Sequence, residues 1–246
     1  MKLQSRDISI LLMIYNYDRV GVSQIHQAFF RSGSAAYKRL RTLLVHGVLS
    51  ASQLNATVPR GTGIYLYRLG PVGKRALAEY LGLETGDLIR LSYIRDPVFA
   101  DHHLAICDFR LKLEQACRAY GVPLVHWETE RQVRARGVRP EPDGIFSLIT
   151  EQRRFRFELD MGTARKGKVV KKLKAYAKDP DRTLVLWDVP DRNRANHLTE
   201  WALAVATSER IDPTLFLIAV RPENPLDSVW AVPGIEKPVS LLGGQQ

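Results

Sequence analysis

Residues 142–163 read PDGIFSLITEQRRFRFELDMGT. In the second half, Phe155, Phe157 and Leu159 alternate with Arg154, Arg156, Glu158 and Asp160, the period of a strand with one apolar face. The first half reads as its antiparallel partner. A two-residue turn at Glu151 and Gln152 would set Asp143 opposite Asp160, with Glu158 one diagonal step away. Cross-strand neighbours lie about 4.5–5.5 Å apart and diagonals about 7–8 Å. Three carboxylates would then crowd one end of a hairpin, and like charges so close resist full ionisation unless a cation sits among them. Mg²⁺ or Mn²⁺, held by one or two carboxylates together with water and phosphate, meets that need. The alternative is a structural ion network in which Arg154, Arg156 and nearby lysines neutralise the acids. Such a network adds little at a surface and brings no assured gain when buried.

Working outward, RKGKVVKKLKAYAKD (165–179) is an amphipathic helix. Its apolar side carries Val169, Val170, Leu173, Tyr176 and Ala177; its polar side carries Lys168, Lys171, Lys172, Lys174 and Lys178. A solvated face is one reading of those lysines. Their place beside the acids favours phosphate contact. Upstream, residues 99–120 read as one long helix ended by Gly121, and VPLVHWETE (122–130) as a strand. Downstream, TLVLWDVP, NRANHLTEWALAVATSE and LFLIAV read as strand, helix and strand. The order predicts an α/β domain over 99–235 with a mixed sheet covered on both faces, then a loose tail at 236–246.

Residues 5–17 predict a helix with Ile8, Leu11, Leu12 and Tyr15 on its apolar face. VSQIHQAFF follows as a second helix and SAAYKRLRTLLVHG as a third, stopped at Gly47. In the third, Ala36, Leu40, Leu43 and Leu44 share one face; Ser34, Tyr37, Lys38 and Arg41 share the other. Two β-like runs, VLSASQL and GIYLYRLG, flank a turn with Arg60 at its tip, and Pro71 opens a further helix. Three helices and a hairpin are the order of a winged helix-turn-helix over residues 1–82. Such a fold places its third helix in the major groove and its wing along the backbone. Ser34, Tyr37, Lys38, Arg41 and Arg60 are therefore the candidate DNA-binding residues, and a winged fold used for protein recognition is the alternative. Residues 83–98 read as the linker.

Composition agrees with a polyanionic partner. The 246 residues carry a net charge of +10, concentrated in two islands. Residues 1–95 hold 13 Lys and Arg against 5 Asp and Glu, and residues 131–178 hold 14 against 5. Two cysteines, Cys107 and Cys117, exclude a disulfide framework. No signal peptide or membrane-length apolar run is present, so a cytoplasmic protein is expected. No phosphate-binding glycine loop, nucleophile elbow or paired-tyrosine pattern occurs.

The pair PDG…FELD is similar to the PD-(D/E)xK nuclease motif. The resemblance implies that Asp143 and Glu158 hold the metal. The motif's lysine position is taken by Asp160, so its role would pass to Lys168, Lys171 or Lys172 on the following helix, and Asp143, Glu158, Asp160 and Lys172 form the catalytic candidates. Glu128 or Glu130 of WETE would be a further ligand. More narrowly, HHLAICDFR (His103, Asp108), WETE, PDG, FELDMGT and KKLKAY resemble the replication-relaxation family of bacterial plasmids and mobile elements. That resemblance implies an N-terminal winged helix and a restriction-endonuclease-like α/β domain. It further implies double-stranded DNA as partner, with a second copy of the chain and other mobile-element proteins as further candidates. Three functions stay open: DNA binding in replication or transfer with the nuclease-like domain as a second DNA-holding surface, Mg²⁺-dependent nicking, and transcriptional regulation.

Overall fold

The computed structural model of the protein describes residues 1–17, 19–53, 65–91, 100–149, 153–227 and 229–242. It is an α/β structure that divides into two compact units, Met1–Leu111 and Lys112–Gln246. The division falls inside one continuous helix, later in the chain than the stretch 83–98.

The first unit contains α1 (Ser5–Tyr17), β1 (Val20–Gly21), α2 (Val22–Phe29), α3 (Gly33–Val45), β2 (Leu49–Gln53), β3 (Tyr65–Leu69), α4 (Pro71–Leu81) and α5 (Thr85–Leu91). The strands form an antiparallel sheet in the order β1-β3-β2, with Leu49 across from Leu69 and Gln53 across from Tyr65. Strand β1, two residues long, carries no pattern in the sequence; it pairs Val20 with Tyr67 and so covers the central strand on both edges. The expected apolar face of α1 is rotated. Asp7, Ile10, Leu11, Met13, Ile14 and Tyr17 are buried, whereas Ile8, Leu12 and Tyr15 are only half-buried. An ion pair with Arg39 draws Asp7 inward and sets the rotation. Close approach fixes α4: a Cβ on Gly73 would lie 2.1 Å from the Val48 carbonyl oxygen. Arg60 and the turn around it lie outside the described residues.

α6 (Ala100–Tyr120) carries the division. In its first half the Gln24 amide donates to Asp108 (2.7 Å), and Ile106, Cys107 and Phe109 are buried. In its second half Leu113, Ala116 and Cys117 are buried. The second unit continues with β4 (Leu124–Thr129), α7 (Glu130–Ala135), β5 (Gly144–Leu148), β6 (Arg154–Leu159), α8 (Lys166–Ala177), β7 (Leu184–Val189), α9 (Arg192–Glu209) and β8 (Phe216–Val220). The sheet order is β4-β5-β6-β7-β8; the first two pairings are antiparallel and the last two parallel. A mixed sheet is what the sequence predicts; the short helix α7 is an addition to that prediction. Helices α8 and α9 pack one face through Val169, Leu173, Leu198 and Ala202 against Val185, Trp187 and Ile218. On the other face Trp127 stacks on Phe146 and Phe146 on Phe155, with ring centroids 5.6 and 5.1 Å apart. Part of the stretch expected to be a loose tail is anchored: Val239 bridges to Trp230, and Leu241 is buried.

Candidate nucleic-acid interface and carboxylate site

α3 begins at Ser32, whose side chain accepts from the Ala35 N–H, and ends before Gly47 at φ +65°. Ala36, Leu40 and Leu43 are fully buried, while Leu44 is half-buried. Ser34, Tyr37, Lys38 and Arg41 are all exposed, and Tyr37 presents 61% of its surface. Arg39, between them in sequence, turns the other way. Its guanidinium makes a two-pronged bond to Asp7, which is fully buried and also accepts from the Gln4 N–H (2.7 Å). Burial alone would raise the Asp7 pKa. The Arg39 and Gln4 bonds, with the charges of Arg39 and Arg6, outweigh it and hold the carboxyl below its usual range. This pair fixes α3 to α1, so the exposed row is carried on a rigid base.

The hairpin register differs from the expected one. Gly144 pairs with Phe157 and Ser147 with Arg154, and the Leu148 N–H donates to the Arg153 carbonyl. The connection is thus four residues, 149–152, and Glu151 and Gln152 lie outside the described residues. Extending this register by one places Asp143, not opposite Asp160, but opposite Glu158. Both stand on the sheet face that α8 covers, since Glu158 is also level with Trp187 of that face. The Asp143 carboxylate accepts from the Leu159 N–H at 2.7 Å.

Glu158 is 2% exposed. Lys172 Nζ donates to its Oε2 at 2.5 Å, and the Tyr176 hydroxyl donates to its Oε1. Lys172 therefore leaves the outward row in which the helical pattern places it and points at the sheet. Burial pushes the Glu158 carboxyl up to about 8; Lys172 opposes the shift and the Asp143 charge adds to it. Burial pulls the Lys172 ammonium down, but Glu158, Asp143 and Glu130 together hold it above its ordinary value. Tyr176 is shifted upward by burial and by Glu158. Three acids thus act on one lysine.

Asp160 takes another route. It is buried, its Oδ2 accepts from Arg194 Nε at 2.8 Å, and its Oδ1 accepts from the Gly162 N–H at 2.6 Å. Arg156 pairs with Asp179 at 2.5 Å and Asp181 at 3.3 Å rather than with the hairpin acids. Of the two upstream acids, Glu128 is bound by His126 (2.8 Å) and Arg136, and Glu130 by Arg134 (2.5 Å). Sequence reasoning misses Arg194 and Asp7 because their partners are 34 and 32 residues away, with no local pattern to mark them. Lys168 and Lys171 are exposed, and Lys171, Lys174 and Lys178 line a shallow groove of about 460 Å³ along α8.

Two facing carboxylates have the hard oxygen chemistry that Mg²⁺ or Mn²⁺ takes, so Asp143 and Glu158 fit such an ion in kind. Lys172 already supplies one positive charge there. Among the described residues no set of three His, Cys, Asp or Glu ligand atoms within 4.8 Å includes either acid.

The replication-relaxation family model matches residues 11–179, and the chain belongs to that family. The matched span holds every candidate residue from Ser34 to Lys172. Membership implies work in the replication or mobilisation of plasmids or other mobile elements. Neither the curated proteins nor the solved structures yield a match. Among the described residues no helix is long and apolar enough to cross a membrane.

Proposed function

We infer that the protein binds double-stranded DNA during replication or mobilisation of a mobile element, reading the duplex with α3 as the third helix of a winged fold. The outward row Ser34, Tyr37, Lys38 and Arg41 on a helix pinned by Asp7–Arg39 carries this reading. The last three of these, at i, i+1 and i+4, reach one groove together, and bonds to phosphate set register while bonds to bases set sequence. Lys168 and Lys171 offer a second, sequence-independent hold on the backbone. Arg60 joins the first surface by its sequence position alone. The test is duplex binding by fluorescence anisotropy. Replacing Tyr37, Lys38 and Arg41 together by Ala should remove most of the affinity while leaving the circular dichroism unchanged; wild-type affinity in that variant would refute the assignment to α3.

A second reading, metal-dependent cleavage of one DNA strand, is favoured by one observation: Asp143 and Glu158 face each other with the Lys172 ammonium beside them. In that reading the two carboxylates would hold Mg²⁺ or Mn²⁺, which would polarise phosphate and water when bound. Lys172 would hold or deliver a proton, and Asp160, neutralised by Arg194, would support the strand end. Incubation of supercoiled plasmid with either metal, alongside Asp143→Ala, separates the readings. Nicking by the wild type and not by the variant establishes cleavage. Binding without nicking in both metals leaves the hairpin acids as a structural ion network.

A further inference from the structure

We propose that α4 is a self-association surface through which two copies of the chain pair antiparallel about a two-fold axis. The buried side of α4 is Gly73, Leu77 and Ala78, which pack into the first unit. Adjoining that side, next to Gly73 around the helix, α4 carries Val72, Ala76 and Tyr80 at i, i+4 and i+8, with Ala76 half-buried, and Leu83 follows just past the Gly82 cap. Tyr80 is 62% exposed, Leu83 38% and Val72 37%. An apolar stripe on the outside of a helix is the mark of a docking surface when it is continuous rather than scattered.

The charges on this side say what covers it. Arg75 and Glu79 are exposed and flank the stripe one helical turn apart, basic toward the N-terminal end and acidic toward the C-terminal end. Neither is engaged in an ion pair within its own chain among the described residues. A two-fold axis near residue 77 sets Arg75 of one copy against Glu79 of the other, and by symmetry the reverse. The same axis sets Val72 against Leu83 and brings Ala76, the smallest side chain of the stripe, to the crossing point. The face is thus complementary to itself, which is what an isologous interface requires. A polyanion would meet Glu79 and, further on, the exposed Glu84 and Asp87, so nucleic acid is disfavoured here.

The experiment is the solution mass of the full chain by sedimentation across a dilution series. The wild type should sediment at twice its 27.9 kDa at the upper concentrations and dissociate on dilution. Arg75→Glu and Glu79→Arg each turn two attractive pairings into two repulsive ones, so each alone should self-associate about tenfold more weakly or worse. Mixing the two variants brings opposite charges together again across the axis, with the polarity of each pair reversed or shared between the copies, and a double variant carrying both substitutions in one chain reverses both pairs completely. That double variant should recover the wild-type dimer. Tyr80→Glu should be monomeric, and because all of these sites are exposed, its thermal melt should match the wild type's at the dilute concentrations where the wild type is also dissociated. A monomeric wild type at every concentration overturns the proposal. So does a dimer that survives Tyr80→Glu, or a double charge reversal that stays monomeric.

Discussion

Helices α3 and α8 use their cations in the same arrangement with opposite electrostatic results. Each shows a basic row to solvent, Lys38 and Arg41 on one, Lys168 and Lys171 on the other, and each turns a single cation inward to a buried acid. On α3 that pair is Arg39–Asp7. A planar guanidinium and a backbone N–H satisfy the carboxylate, and its pKa is lowered. On α8 the pair is Lys172–Glu158. A point charge and a phenol serve a deeper carboxyl that also feels Asp143, and its pKa rises to about 8. The first is a settled structural brace. The second leaves its carboxyl strongly shifted, and groups of that kind gather at functional sites as well as in structural ion networks.

Removing the brace should have the largest effect on stability. Asp7→Ala leaves the half-buried Arg39 guanidinium and the Gln4 N–H without their buried acceptor and should cost about 4 kcal/mol in the first unit, read by chemical denaturation. A loss below about 1 kcal/mol would make the pair no stronger than an ordinary surface ion pair.

The pH dependence should have opposite signs in the two units. Asp7 is depressed, so its contribution is present above the ordinary carboxylate value near 3.8 and fades as pH falls below it. Glu158 is raised, so between about 4.5 and about 8 the folded state keeps a proton that the unfolded state has lost, and stability declines as pH rises. Asp188, raised to about 6 by burial against the pull of Arg221, adds a smaller decline between about 3.8 and 6. Unfolding of the second unit should therefore lose about 3 kcal/mol between about pH 5 and pH 8, and Glu158→Gln should flatten most of that slope. A slope unchanged by Glu158→Gln would mean that Glu158 is not the titrating group.

Inward and outward lysines of α8 should differ at a smaller scale. Lys172→Ala should destabilise the second unit by about 2 kcal/mol at pH 8, where the buried Glu158 loses the bonded cation that eases its ionisation and must take up a proton. Lys171→Ala should stay within about 0.5 kcal/mol of wild type. Equal losses in the two variants would put both lysines in the same environment.

Legibility in the sequence follows the distance over which a feature is encoded. The α3 row is readable because a helix sorts residues by a period of 3.6 and Ala36, Leu40 and Leu43 mark the inside without ambiguity. The α1 face is not, since Ile8 and Ile10 to Tyr15 are apolar almost all round, and a distant arginine chooses the rotation. Strand alternation places Arg156, Glu158 and Asp160 on one face, and the structure keeps Arg156 and Glu158 there. Alternation does not fix the register, which depends on a loop length with no turn signature such as Asn-Gly. The shift of two residues moves Asp143 from Asp160 to Glu158. Helical spacing also sets Lys172 among the solvent-facing lysines, because a lysine stem is long enough to reach inward from the boundary of either face.

The DNA-binding assignment is most directly exposed to the salt dependence of duplex affinity, measured for wild type, Arg41→Ala, Lys171→Ala and Lys172→Ala. Removing one phosphate-neutralising cation should reduce the slope of log affinity against log salt by about 1. Shallower slopes are expected for Arg41→Ala and Lys171→Ala, and a wild-type slope for Lys172→Ala, whose ammonium turns inward to Glu158 and away from the exposed row. Unchanged slopes for Arg41→Ala and Lys171→Ala, or a reduction confined to Lys172→Ala, would contradict it.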